Sequence, residues 1–506
     1  MPTRAGLRLR WWPHSLRHFA IDWTVPPVQN ANEACALIVT SARKTVWALG
    51  QMRPSMAFWA YTYTAVAVAL LACEAARARD TSPVQVWVSP TDGDDSAAGT
   101  SPEAPLRHLK AARDRVRALR GGAGGHWAAT VWLMAGTHRL NETLNLTQAD
   151  SHTSYRAASQ HGAYRGSGDL SKGLPVISGG RELSWTHASG GEVSPGPPPG
   201  PCRLLRAAVA PSLPASAGGG GVYPELYLAD PQTPRATVSR LPLGAIANPD
   251  AFYEWEPLTP ATASAFRYVG TQPSPEDWGT DATAFVATAP WGFRPARIAH
   301  VSNLTVTLRD TLGPKPLTKS SAGQGKRRWC VLNNQRGPLL SGEYRYSSTR
   351  REIEFNYCLN ASDSDAASSS RQLQMPVATV ALPGLTTLVS VQDGAVGVSF
   401  EWLQFSHSAV GPNPSPFSYD APSTGAVEVS NATQTQLNNC AFVSIGANAI
   451  QIRHGVKGVA VSGCVFRDIG GRGFSTTLEH TGSPQDAADV LVVDSVFQGC
   501  GTMMAH

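Results

Sequence analysis

The sequence predicts an all-β chain: a parallel β-solenoid with a short N-terminal cap helix and an inserted β-rich domain. Phe405, Phe442, Phe466 and Phe497 recur at spacings of 37, 24 and 31 residues, each preceded five positions earlier by Phe400, Leu437, Val461 or Val492. Seven positions before each Phe stand Val398, Thr435, Val459 and Val490, so the inward pattern alternates like a strand and returns once per coil. Gly446, Gly470 and Gly501 follow three of the four Phe by four positions. In a parallel stack, equivalent strands lie about 4.8 Å apart, and matching repeat positions line up as columns along the axis.

The 506 residues are 42% hydrophobic and 16% charged, enough to bury a large core and to exclude a disordered chain. The formal net charge is +5, but residues 1–78 hold eight Lys/Arg against three Asp/Glu, so the remainder is balanced. A neutral body without basic runs interleaved with aromatics excludes nucleic acid as the expected partner.

From the N-terminus, residues 56–73 (MAFWAYTYTAVAVALLAC) carry no charge, follow Arg53 and precede the small-x-small run Ala76-Arg77-Ala78. This reads as a secretory signal peptide, making the mature chain extracellular and free of membrane. The alternative is a membrane anchor through 56–73, with the basic segment before it as a cytoplasmic tail. Sequons at Asn141, Asn145, Asn303, Asn360 and Asn431 are compatible with a glycosylated secreted protein. Six cysteines follow the leader: Cys330 with Cys358 could close a loop, whereas Cys440 and Cys464 share a repeat position and could form a disulfide or a ladder of buried thiols, the reading a solenoid favours. No CxxC pair or His/Cys cluster suggests a metal, and no cofactor is expected.

Val84 to Val88 reads as the first strand, followed by an acidic turn with Asp92, Asp94 and Asp95. Residues 105–119 (PLRHLKAARDRVRAL) place leucines and valine at helical spacing and end before Gly121-Gly122. Such a helix would cover the open end of the stack, where an unpaired strand edge invites aggregation. Residues 187–222 are rich in Gly, Pro, Ser and Ala and read as a linker. From Tyr223 to about residue 386 the texture becomes irregular short strands with Trp255, Trp278, Trp291 and Trp329. The expected division is thus a leader at 1–78, cap and first coils at 79–186, linker at 187–222, inserted domain at 223–386 and further coils at 387–506. Those last coils stop within a repeat, as a truncated chain would.

Several segments resemble right-handed parallel β-helix proteins of the pectate-lyase-like superfamily. They are residues 88–95 with Gly99-Thr100, Pro105 and Leu109 to Ala112, then Val131 to Thr137. Pro175 to Gly180 with Trp185, Leu226 to Leu228 with Arg235-Ala236 and Arg240 to Pro242, and Gly342 to Tyr344 resemble members with an inserted β-domain. Among these are β-helix glycoside hydrolases of cell-wall polysaccharides. The resemblance implies a right-handed β-helix, a polysaccharide substrate and a monomer.

Glycoside hydrolysis generally uses two carboxylates, about 5 to 5.5 Å apart for retention and about 6.5 to 9.5 Å for inversion. Two positions after each repeat Phe stand His407, Ser444, Asp468 and Gly499, one column in which His407 and Asp468 lie two coils, about 10 Å, apart. Asp468 is the first candidate acid or base, with a solvated turn acid as the plain alternative. His407 could shuttle protons or bind a sugar. Glu479, His480, Asp486, Asp489 and Asp494 lie in or near a longer insertion before the last coil, and Glu479 and Asp494 are candidates for the second carboxylate. A lyase would instead need an acidic calcium cluster and a base such as Arg453, Arg467 or Arg472. A non-catalytic carbohydrate-binding protein is the other alternative.

Overall fold

The computed structural model describes residues 83–121, 127–158, 173–187, 202–209, 226–229, 238–240, 245–246, 253–269, 278–279, 281–289, 292–313, 317, 327–335, 339, 342–358, 377–381, 385–409, 424–476 and 488–501. The chain divides into two units, 1–83 and 84–506. The leader at 1–78 and its apolar stretch lie outside the described residues. Among the described residues, no helix is long and apolar enough to cross a membrane.

The second unit opens with β1 (Val84–Val88), the helix α1 (Leu109–Leu119), β2 (Ala129–Leu133), β3 (Thr137–Arg139), β4 (Leu144–Leu146), β5 (Thr153–Ala157) and β6 (Val176–Ser178). The inserted strands follow: β7 (Gly180–Glu182), β8 (Thr186–His187), β9 (Cys202–Ala208), β10 (Leu226–Ala229), β11 (Val238–Arg240) and β12 (Ala245–Ile246). They continue as β13 (Tyr253–Pro257), β14 (Ala265–Val269), β15 (Thr283–Ala289), β16 (Gly292–Ser302), β17 (Thr305–Leu308), β18 (Arg328–Leu332), β19 (Tyr344–Ser347), β20 (Glu352–Cys358) and β21 (Val377–Ala381). The repeat then resumes with β22 (Val389–Val391), β23 (Ser399–Glu401), β24 (Gln404–Ser406), β25 (Gly425–Val429), β26 (Gln436–Asn438), β27 (Ala441–Ile445) and β28 (Asn448–Ile452). It closes with β29 (Lys457–Ser462), β30 (Val465–Ile469), β31 (Phe474–Thr476), β32 (Ala488–Val493) and β33 (Val496–Cys500).

Successive circuits of the chain lay one strand in each of three parallel sheets. Sheet A runs β1-β2-β5-β23-β26-β29-β32, sheet B β3-β6-β24-β27-β30-β33 and sheet C β4-β22-β25-β28-β31. Every pairing within them is parallel, with Phe405, Phe442, Phe466 and Phe497 in register in sheet B. Their rings stack at 5.0, 5.0 and 4.4 Å. The residues five positions earlier form the facing column in sheet A: Phe400, Leu437, Val461 and Val492. One core runs through the circuits, and α1 joins it through Leu109, Ala112 and Val116.

The bends between sheets form columns as well. Before sheet A, His152, Gly397, Gln434, Gly458 and Asp489 take φ of 56°, 65°, 56°, 72° and 55°. Between A and B stand Trp402, Asn439, Gly463 and Asp494, at 58°, 52°, 62° and 50°. Where β27 and β30 bend toward sheet C, His407, Ser444, Asp468 and Gly499 take 59°, 57°, 52° and 63°. The left-handed conformation turns the strand sharply, and Gly, Asn and Asp carry it at the lowest cost. Gly, Asn, Asp and Ser fill nine of the thirteen positions, and His152, Gln434, Trp402 and His407 hold the same conformation with larger side chains.

The inserted strands begin directly after β6, at Gly180, and β9 forms inside the segment expected to be a linker. They build sheet D (β11-β10-β21-β7), sheet E (β19-β20-β9-β8) and a seven-stranded antiparallel sheet, β12 to β18. That last sheet encloses its own core of Trp255, Trp278, Trp329, Phe266 and Tyr268, so the three tryptophans pack rather than face solvent; Trp291 lies outside the described residues. Cys330 is a buried free thiol, so it makes no bridge to Cys358, whose backbone stands opposite Cys202. Cys440 and Cys464 are likewise free and buried.

Candidate functional site

The outer face of sheet C carries an ordered polar arrangement. Because Val427, Val429, Ile450 and Ile452 point inward, Glu428 and Gln451 between them point out. Register extends this into a column: Asn145, Ser390, Glu428, Gln451 and Ser475. Arg453, just past β28, reaches back one circuit and holds both oxygens of Glu428, at 3.1 Å through Nη2 and 3.3 Å through Nε. The Gly425 amide also donates to Glu428 Oε1 at 3.1 Å. Asn448 Nδ2 donates to Gln451 Oε1 at 2.9 Å, the Arg472 amide donates to Asn448 Oδ1 at 2.8 Å, and Arg472 Nη1 donates to Ser475 Oγ at 3.2 Å. The result is a pre-ordered strip of carboxylate, amide, hydroxyl and guanidinium groups, in which Ser390, Asn448, Gln451 and Ser475 are buried and Glu428 and Arg453 are partly exposed.

Along one edge of this strip runs the His407, Ser444, Asp468 column. The structure therefore brings His407 and Asp468 onto one line, two circuits apart, with Ser444 between them. Asp468 is half-buried, whereas Ser444 is fully buried and its Oγ has no hydrogen-bond partner among the described residues. His407 is 8% exposed. Its Nδ1 lies 2.9 Å from Ser178 Oγ, and its ring meets Tyr227 of β10 at 5.0 Å. Burial, with the positive Arg139 nearby, pushes its pKa down to about 3, so the ring is neutral through the physiological range.

The other sequence candidates are elsewhere. Asp494 is exposed on the bend column at the opposite end of the sheet B strands from Asp468, and Asp489 occupies the bend before sheet A. Glu479, His480 and Asp486 lie outside the described residues. Among the described residues the other members of the Asp468 column, His407, Ser444 and Gly499, are not acids. Arg467 is on the outer face of sheet B, and Arg453 and Arg472 belong to the sheet C strip.

Asp92, Asp94 and Asp95 serve local turns. The Asp94 carboxylate accepts the Ser96 amide at 2.9 Å, and Asp95 accepts the Arg107 and His108 amides at 2.9 and 3.0 Å. Among the described residues no cluster of His, Cys, Asp and Glu is placed to hold a metal ion. A cleft of about 400 Å³ beside α1 is lined by Asp95, His108, Lys110, Arg113, Asp114 and Glu142, all engaged in ion pairs with one another.

Glu428 and its strip escaped the sequence reading. The Phe repeat indexes sheets A and B, whose connection is constant at two residues, but the B-to-C connection changes from circuit to circuit. The signal that could have found Glu428 is the acid inside an apolar alternation, Ala426-Val427-Glu428-Val429.

No protein-family model matches the chain, and no curated protein matches its sequence. Among solved structures it is similar to a glycoside hydrolase, at a TM-score of 0.58 and 15% identity over 83% of this chain and 74% of the other. The Gp54 tailspike of Acinetobacter baumannii bacteriophage AP22, in complex with A. baumannii capsular saccharide, aligns at 9% identity over 66% of this chain and 45% of its own. Its TM-score of 0.12 is too low to bear on the fold. What the first likeness shows is the architecture: a sheet-rich chain with stacked parallel sheets, shared with a glycoside hydrolase.

Proposed function

We propose that this chain is a right-handed parallel β-helix protein acting on polysaccharide, with the substrate lying along the outer face of sheet C, and that its reaction is glycoside hydrolysis. The observation that supports this most is the ordered polar column from Asn145 to Ser475, flanked by Asp468. In this reading Asp468 exchanges the proton, and Glu428, fixed by Arg453, faces the sugar ring. Glu479 remains the proposed partner acid. The likeness to a glycoside hydrolase supports the fold half of this reading only.

A second reading, saccharide binding without cleavage, is favoured by the way Arg453 occupies both oxygens of Glu428. Reducing-sugar release from a panel of neutral and acidic cell-wall polysaccharides distinguishes the two. Hydrolysis requires release by the wild type and a loss of roughly 10²- to 10⁴-fold in Asp468→Ala, the usual worth of a general acid or base. Retained binding with no release supports the second reading. Unsaturated, ultraviolet-absorbing products would replace both with a lyase.

A further inference from the structure

The inserted strands leave the circuits after Ser178 and return before Leu385, and His407 stands where they do so. The Gly179 amide donates to Ser406 O at 3.2 Å and the Ala409 amide to Leu385 O at 2.9 Å, so both ends of the insertion are tied to the segment around His407. In sheet D, β7 pairs with β21 and β21 with β10, which carries Tyr227 over the His407 ring. Tyr227 is fully buried there. Next to it β11 lies against β27, whose outward-facing Ala441 and Val443 are buried with Leu174 and Trp402.

We propose that His407 is an acid-sensitive clasp: neutral, it holds sheet D against the outer face of sheet B, and on protonation it releases that sheet. The Gly180 amide donates to Ser178 Oγ at 3.0 Å, and His407 Nδ1 lies 2.9 Å from the same oxygen. Nε2 of the ring is buried and has no partner among the described residues. A charged ring carries a proton on both nitrogens, so it would leave an N–H at Nε2 without an acceptor and add a second cation near Arg139 on β3. Among the described residues Tyr227 is the ionisable group in ring contact with it, and Arg139 is paired with Glu182 of β7; β6 presents Ser178 and β27 presents Ser444, neither of which titrates. The Tyr227 face favours a cation, but burial outweighs it.

Opening lets water reach the ring, which then takes up one proton. A group whose folded pKa is depressed stabilises the closed state above its free value and loses that contribution as the pH falls. The window runs from 6.5 down to about 3. Within it, the open-to-closed ratio grows about tenfold per pH unit, the slope of a single linked proton.

Hydrogen exchange on the full chain from pH 7.5 to 4.5, corrected for intrinsic rates, tests this, with the amides of β10 read against those of β29 and β30. In the wild type the β10 amides should open about tenfold more per pH unit below about 6.5 relative to that reference, and in His407→Gln they should show no such slope. Ser178→Ala, which keeps the histidine, should raise β10 opening several-fold already at pH 7.5. A slope that survives in His407→Gln, a wild type whose β10 follows the reference, or a Ser178→Ala chain that stays closed would each overturn the clasp.

Discussion

In the stacked circuits each aromatic ring of the Phe column comes from a different circuit and stacks on the ring above or below at 4.4 to 5.0 Å, with Phe405 also meeting Phe400 edge-on at 5.8 Å. In the inserted antiparallel sheet, Trp329 is a hub: Tyr253, Phe266, Tyr268 and Trp278 meet it at 5.0 to 5.9 Å, tilted or edge-on. A column shares its energy between nearest neighbours, as repeat architectures do, whereas a hub concentrates it in one residue. Trp329→Ala should therefore be the most damaging single change, costing about 5 kcal/mol at the upper end of large-to-small substitutions, and Phe442→Ala should cost about 3 kcal/mol. Denaturant unfolding followed by tryptophan fluorescence and by far-ultraviolet circular dichroism should show Trp329→Ala detaching the inserted domain's transition from that of the circuits. If both variants shift one common transition, the two regions unfold as one and the contrast between column and hub is lost.

The same contrast explains what the sequence made legible. A column repeats at a fixed offset from its neighbours, so Phe405 predicts Phe442 and Phe466, and Val398 predicts Val459, without any knowledge of loops. A hub has no period. Trp255, Trp278 and Trp329 could be seen as an aromatic-rich, irregular stretch, but which strands bring them together depends on antiparallel pairings such as β13 with β18 and β15 with β18. The candidate site divides the same way. Asp468 and His407 sit at a constant offset from the repeat Phe and were found together, whereas Glu428 follows a connection of variable length and was not. The burial of His407 was also beyond reach, because Tyr227 comes from the insertion some 180 residues earlier in the chain.

The Phe column contains one polar member. His138 pairs with Ile177, which pairs with Phe405, so in the second circuit a histidine fills the aromatic position, 2% exposed, with Nε2 donating to Met134 O at 2.9 Å. Burial lowers its pKa to about 4 from the ordinary 6.5. The unfolded chain takes up this proton below 6.5 and the folded chain does not until about 4, so folding loses stability across that interval as the pH falls. The full shift corresponds to about 3 kcal/mol by pH 4. His138→Phe should extend the column and remove this share of the acid sensitivity, read as a smaller drop in unfolding free energy between pH 7.5 and pH 4. An unchanged drop would mean that the column tolerates a charged ring, against the packing described here.

The smallest expected effects are at the bends, where they separate a structural acid from a chemical one. Gln434 and Asp468 hold φ of 56° and 52° on two different bend columns, and in each column a neighbouring circuit already uses glycine, Gly458 and Gly499. Replacing either by glycine removes the steric cost of the left-handed conformation, about 1 to 2 kcal/mol, and returns part of it as added freedom of the unfolded chain. Both Gln434→Gly and Asp468→Gly should therefore stabilise the circuits by a net of up to about 1 kcal/mol, visible as a raised denaturant midpoint with unchanged slope. Activity should part them. Gln434 lies on the bend that leads from sheet C into sheet A, not on the Asp468 column, and carries no carboxylate, so its replacement should leave sugar release intact. Asp468→Gly should be no less stable and should lose turnover, because it removes the carboxylate proposed to exchange the proton. A stabilised Asp468→Gly chain that retained full activity would reduce Asp468 to one more bend residue, and the search for the acid would then move to Glu428.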